Sequence, residues 1–286
     1  MTYRVVLVPV LGDPADTAAL AITGTLVGQM RSHIVGLHVR SPISMAVSGG
    51  MFEGAYMSPD ILTSLEDARQ TVAAAARDSF RRWQEASGIE MAAAPGGSAT
   101  LSAEWNEVEA AVSTEIGSRG RTTDLVVLAR SSREYSAPTD DALHGALFYT
   151  GRPVLLVSGA PPADLFGTAV VAWNDSREAA HALAAAWSLL GRAKRIVIFI
   201  SGEDDALRRS ADRLVTHLAW RGYAAATVVS DASQDAGVGL LAVANREGAG
   251  LIVMGAYSHS RLRHLVFGGV TSHIFKNTTI PVLMAH

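Results

Sequence analysis

Short, nearly continuous apolar runs recur along the chain, at Val5–Val10, Ile34–Val39, Leu125–Ala129 and Pro153–Val157, then at Ala169–Trp173, Arg195–Ile200, Ala225–Ser230, Leu251–Met254 and after Pro281. Runs of this length, rich in β-branched residues, are expected of parallel strands buried on both faces. A weaker strand is predicted around Ala99–Glu104. Between the runs the period becomes helical: an Ala-rich stretch covers Ala15–Met30, and Leu65, Ala68, Val72, Ala76, Phe80 and Trp83 mark a stripe on a long helix over Ile61–Ser87. Further helices are predicted with Val108, Ala111, Val112 and Ile116 on one face, over Thr139–Tyr149, over Arg177–Leu190, through Leu207, Ala211, Leu214, Val215 and Leu218, and over Gly239–Glu247.

Strict alternation of strand and helix predicts an α/β fold with parallel sheets. Turn chemistry punctuates it: Leu11-Gly12-Asp13-Pro14 ends the first strand, Gly88 stops the long helix, and Asp175 or Ser176 is placed to cap the helix from Arg177. Gly159-Ala160-Pro161-Pro162-Ala163-Asp164 reads as a linker, and the order of elements restarts after it. The two halves also end alike, TDLVVLARSS matching AGLIVMGAYS and RPVLLVSG matching IPVLMAH, which implies a duplication. The fold class expected is two tandem doubly wound (Rossmann-like) domains, residues 1–158 and 166–286, each with a five-stranded parallel sheet. Residues 41–60 break the pattern and read as an insertion, in which Met45, Met51 and Met57 serve as packing filler or as a ligand surface.

Composition narrows this picture. A chain of 286 residues is long enough for two cores. A net charge of −3 gives no general reason to expect nucleic-acid binding. The absence of Cys excludes disulfides and thiolate metal sites and fits a reducing compartment. No apolar run approaches the roughly 20 residues that span a bilayer, so no membrane and a cytoplasmic location are expected.

The chemistry concentrates in Leu251–His286. A buried strand runs into Gly255, a loop carrying Arg261, Arg263 and His264 follows, and Gly268-Gly269 opens a helix from Val270. Glycines admit backbone N–H groups to an anion, and a helix start adds unpaired donors and a positive dipole end. The three basic residues either support that anion or form a solvated turn.

Here the chain resembles the universal stress protein family. VVAWNDSREAAHAL at Val170–Leu183 is similar to the opening strand and helix of that family. The last segment is similar to its Gly-x2-Gly-x9-Gly-(Ser/Thr) loop followed by Pro-Val-Leu. The resemblance implies adenine nucleotide binding, ATP or AMP with Mg accompanying ATP, at the loop residues Gly255, Ser258, Gly268, Gly269 and the backbone of Val270. The strand-end residue Asn174 would approach the ribose or base, and Ala172, two residues before it, is also expected to bind the cofactor. It also implies an intramolecular pseudo-dimer through Val154–Val157 and Val282–Met284, leaving a homodimer open. Three positions depart from the family pattern. Ser258 replaces a glycine, Gly269 replaces a hydroxyl residue, and Asn174 replaces an aspartate. Loss of one hydroxyl hydrogen bond weakens binding by roughly tenfold.

In the first half Leu11 stands at the position of Asn174, Ala129 at that of Gly255, and Asp140-Asp141-Ala142 where Gly268-Gly269 would be. Two carboxylates at a helix start favour the helix and oppose a phosphate. No nucleotide is expected there.

Other motifs point less far. Gly237-x-Gly239-x-x-Ala242 superficially fits a dinucleotide fingerprint but lacks the following acidic residue and reads as a turn and helix start. No HExxH or Gly-x-Ser-x-Gly occurs. Trp173 either stacks on a base or plugs the core. The function expected is a non-enzymatic stress regulator binding nucleotide in its C-terminal domain. The alternatives are a nucleotide-free scaffold for an unknown protein partner and, last, slow ATP hydrolysis.

Overall fold

The computed structural model describes residues 3–28, 30–43, 58–94, 101–131, 137–231, 235–256 and 269–286. The chain divides into two compact units, residues 2–152 and 153–286. Most of the predicted insertion, at 44–57, lies outside the described residues, as do its three methionines.

In the first unit the strands are β1 (Val5–Pro9), β2 (His33–Arg40), β3 (Glu90–Met91), β4 (Ser102–Glu109) and β5 (Leu125–Ala129). They lie in the order β3-β4-β2-β1-β5, all parallel. Among the described residues the helices are α1 (Asp16–Val27), α2 (Pro59–Ser87), α3 (Val112–Gly120) and α4 (Ala137–Tyr149). The strands β1 and β5 are buried nearly throughout, as their unbroken apolar composition requires. Gly88 ends α2 in the left-handed conformation, as expected, while the helix starts earlier than the expected Ile61, at Pro59 with Ser58 as its cap.

Two sequence expectations shift here. The weak strand at 99–104 is β4, which extends to Glu109 and takes in Val108, expected on a helix. Its eight residues pair with all eight of β2, and Glu107 forms ion pairs with Arg40 and Arg77. Long-range pairing of this kind is not visible in local periodicity. On α2 only Ala76 and Phe80 of the expected stripe are fully buried, Ala73 joins them, and Val72 is exposed.

The second unit contains β6 (Val154–Val157), β7 (Thr168–Ala172), β8 (Arg195–Ser201), β9 (Ala225–Ser230), β10 (Ala249–Gly255) and β11 (Val282–Ala285). Their order is β6-β11-β10-β7-β8-β9. All are parallel except β6, which runs antiparallel to β11 with Leu155 opposite Leu283. The sequence pattern ends the first domain after residue 158. The compact units divide after Arg152, because this ladder and complete burial place Val154–Val157 in the second core.

The helices of this unit are α5 (Arg177–Ala185), a single turn α6 (Trp187–Leu190), α7 (Asp205–Trp220), α8 (Ala236–Arg246) and α9 (Gly269–Asn277). The helix expected over 177–190 is thus interrupted at Ala186, whose N–H is shared between the carbonyls of Ala182 and Leu183. Each unit is a doubly wound α/β sheet. Its topological switch lies between β7 and β10 in the second unit and between β1 and β5 in the first, where the crevice for a ligand is expected.

Candidate functional site

The site in the second unit starts from pairing. β7 and β10 are neighbours with Ala172 opposite Met254, so Trp173, Asn174 and Gly255 emerge together at the carboxyl ends beside the switch point. The chain then turns sharply into α5. Asp175 takes the left-handed conformation at φ 58°, a position Asp tolerates better than most residues. Asn174 Oδ1 accepts hydrogen bonds from the Ser176 hydroxyl (2.7 Å) and backbone N–H (3.3 Å). Ser176 Oγ in turn accepts from Ala179 N at 3.1 Å, so Ser176 is the N-cap. The strand-end Asn therefore shapes its own turn.

Gly255 has a tightly defined role. A Cβ there would lie 2.5 Å from the backbone N of Ala179 and 2.6 Å from the carbonyl carbon of Glu178. The first turn of α5 rests directly on the strand end, and packing alone demands glycine. Gly269 opens α9 and is exposed, with no atom of the described residues within 4 Å of where a Cβ would point, and Val270 is partly buried. Ser258 and Gly268, with Arg261, Arg263 and His264, lie outside the described residues. Ala256 and His286 close the strand end, His286 Nδ1–H donating to the Ala256 carbonyl at 3.2 Å.

Trp173 turns its indole toward α7. Its Nε1–H donates to Ser210 Oγ at 3.0 Å, and the Ser210 hydroxyl donates to Asp175. Gly237 and Gly239 are a helix start and a packing position. Asp235 caps α8 by accepting from Gly237 N (2.8 Å) and Val238 N (3.3 Å), and a Cβ on Gly237 would lie 2.9 Å from His273 Cβ on α9.

The equivalent crevice of the first unit is occupied by the chain's own carboxylates. Gly12 N and Asp13 N both donate to Asp16 Oδ2, at 2.7 and 3.0 Å. Asp13 spans the switch point, accepting from Ser131 Oγ at 2.8 Å. Asp16 is 1% exposed. Burial pushes its carboxyl from 3.8 up to about 6, against the opposing pull of backbone donors at Leu11, Gly12 and Asp13. Asp140, at the start of α4, is also raised, by burial first and Asp141 second. Helical periodicity does not set Asp16 apart from an ordinary first-turn acid. The signal available was Gly-Asp-Pro-Ala-Asp, a tight turn with a carboxylate four residues beyond its glycine.

His38, at the end of β2, donates from Nδ1 to the Val10 carbonyl at 2.7 Å, and burial lowers its pKa. Among the described residues, no group of three or more His, Asp or Glu could hold a metal ion, and no helix is long and apolar enough to cross a membrane.

The chain is similar to known proteins. Residues 165–286 match the model of the Universal stress protein family. A universal stress protein of Synechocystis sp. is 54% identical over 33 residues, a stretch covering 12% of this chain and 12% of that protein. Among solved structures, a universal stress protein from Archaeoglobus fulgidus superposes with a TM-score of 0.70 at 16% identity, covering 100% of this chain and 99% of that one. A putative universal stress protein from Pseudomonas aeruginosa does so with a TM-score of 0.58 at 16% identity, covering 99% and 93%. At such identities the structural likeness establishes the fold. Residues 165–286 belong to the universal stress protein family, and the chain over its whole length takes the fold seen in universal stress proteins.

Proposed function

We propose that this is a stress-response regulator whose C-terminal domain binds an adenine nucleotide, ATP or AMP, without catalysing its turnover. The observation that carries the reading is the convergence of Asn174 and Gly255 at the β7/β10 switch point, on a domain whose sequence continues into Gly268-Gly269 and α9. In this reading the phosphates lie on the N–H groups at Gly268, Gly269 and Val270. The base lies over the strand ends at Ala172 and Asn174. A Mg ion accompanying ATP would be carried by the phosphates. The first domain binds no nucleotide, because Asp16 and Asp13 already take up the donors at its switch point. No general base is assigned, and a cytoplasmic location is part of the proposal.

Isothermal titration of the intact protein tests this. Heat with ATP, ADP or AMP at millimolar concentration or below, abolished by Gly268→Asp, is expected; no heat with any of them rejects it. One observation favours a second reading as a nucleotide-free scaffold: Asn174 Oδ1 already accepts two hydrogen bonds from Ser176. Nucleotide retained by the purified protein would count against the scaffold.

A further inference from the structure

A groove opens between α5, α6 and α7, beside the end of β7. It has a volume of about 400 Å³, and its floor is Trp173, Leu183, Trp187 and Leu214. That volume suits a small organic ligand, and such sites combine an apolar floor with a few placed polar groups. The polar groups here are unevenly charged. Arg213, His217 and Arg221 succeed one another at four-residue spacing along one face of α7 and its end, against the single carboxylate of Asp175.

The geometry leaves these groups able to receive an anion. Arg221 lays its guanidinium over the Trp187 ring, 3.9 Å from the centroid, which fixes its plane while its N–H edge stays at the rim. Its Nε–H donates to His217 Nε2 at 3.4 Å, so the His217 proton resides on Nδ1 as a further donor. Trp187 is itself backed by Tyr223, with the rings 17° from parallel. Arg213 approaches Asp175 at 3.8 Å, beyond hydrogen-bond distance, and its side chain is 69% exposed. At the opposite end Asp175 accepts from the Ser210 hydroxyl and disfavours a second negative charge. The site is therefore polarised: aromatic along its floor, cationic at the Arg221 end and acidic at the Trp173 end.

We infer that this groove binds a small aryl monoanion, an aromatic carboxylate or sulfonate. Its ring lies on the apolar floor at Leu183 and Leu214, and its charge is held at the His217 and Arg221 end, with the Arg213 charge adding attraction along the same helix face. The inference does not depend on nucleotide binding at the strand ends.

The test uses the full chain and two probes with one aryl skeleton, 8-anilinonaphthalene-1-sulfonate and its uncharged analogue N-phenyl-1-naphthylamine, followed by fluorescence. One saturable sulfonate site per chain is expected, with the neutral probe bound at least about tenfold more weakly. Arg213→Gln with Arg221→Gln should weaken the sulfonate about tenfold or more and leave the neutral probe nearly unaffected. Ala184→Glu places a carboxylate at an exposed groove position on a helix that tolerates it, and should also abolish sulfonate binding with an unchanged circular dichroism spectrum. Equal affinity for both probes, non-saturable binding, or full sulfonate affinity in the folded Ala184→Glu protein would overturn the inference. So would protection of the groove by self-association at the concentrations used.

Discussion

Replacing Asp16 by Asn removes an ionisable group while keeping its hydrogen-bond role, because Gly12 N and Asp13 N donate to the same carboxylate oxygen and an amide oxygen can accept both. The folded carboxyl titrates near 6 and the unfolded one near 3.8, so between these values the native state holds a proton that the unfolded chain has released. Stability then falls as pH rises through this window, and the cost is fully present above it. At 1.36 kcal/mol per pKa unit, the contribution between pH 4 and 7 is about 2–3 kcal/mol. Burial outweighs three backbone donors in this balance. Urea unfolding of both proteins, followed by circular dichroism at pH 4, 5, 6 and 7, measures it. The stability difference between variant and wild type should move by about that amount in favour of the Asp16→Asn variant from pH 4 to pH 7, since all other titrations cancel. A difference independent of pH, or a change favouring the wild type, refutes the argument that Asp16 is desolvated.

The remaining predictions concern the two strand ends. Gly255→Ala drives a methyl into the backbone at Ala179 and Glu178, which cannot yield as a side chain would; thermal unfolding should report a loss of about 1–3 kcal/mol or more, and wild-type stability would show that α5 does not rest there. Ser176→Ala removes the cap on Ala179 N and should cost about 1 kcal/mol in urea unfolding. His38 should titrate below 6.5 by NMR. Its lowered pKa makes acidification below 6.5 destabilising, opposite in sign to the Asp16 effect, and a midpoint at or above 6.5 would place the ring in water.

The candidate site was legible in the sequence to different depths at different residues. Asn174 and the Ser176 cap could be located because strand end, turn and helix start are local signals, and the hydrogen bonds that join them span only two or three residues. Gly255 was found for one reason and is required for another. A glycine after a buried strand is visible in a sequence, but the helix that presses on it is defined only when α5 is folded back over β10. Asp16 and the groove residues Trp173, Ser210, Asp175 and Arg213 were not assembled at all. Ser210 and Asp175 are 35 positions apart, and no periodicity relates them.

By itself the sequence determined the alternation of strands and helices, the duplication and the caps, because apolar period and turn chemistry act over a few residues. It also placed the phosphate-loop signature in the second half alone. Only the tertiary structure decided what depends on neighbours brought from afar: that Val154–Val157 joins the second core by pairing antiparallel to β11, that β4 runs on to Glu109 along β2, and that Asp16 and Asp13 fill the first switch point. Burial and long-range pairing set those outcomes, and both are properties of the folded chain that local pattern does not encode.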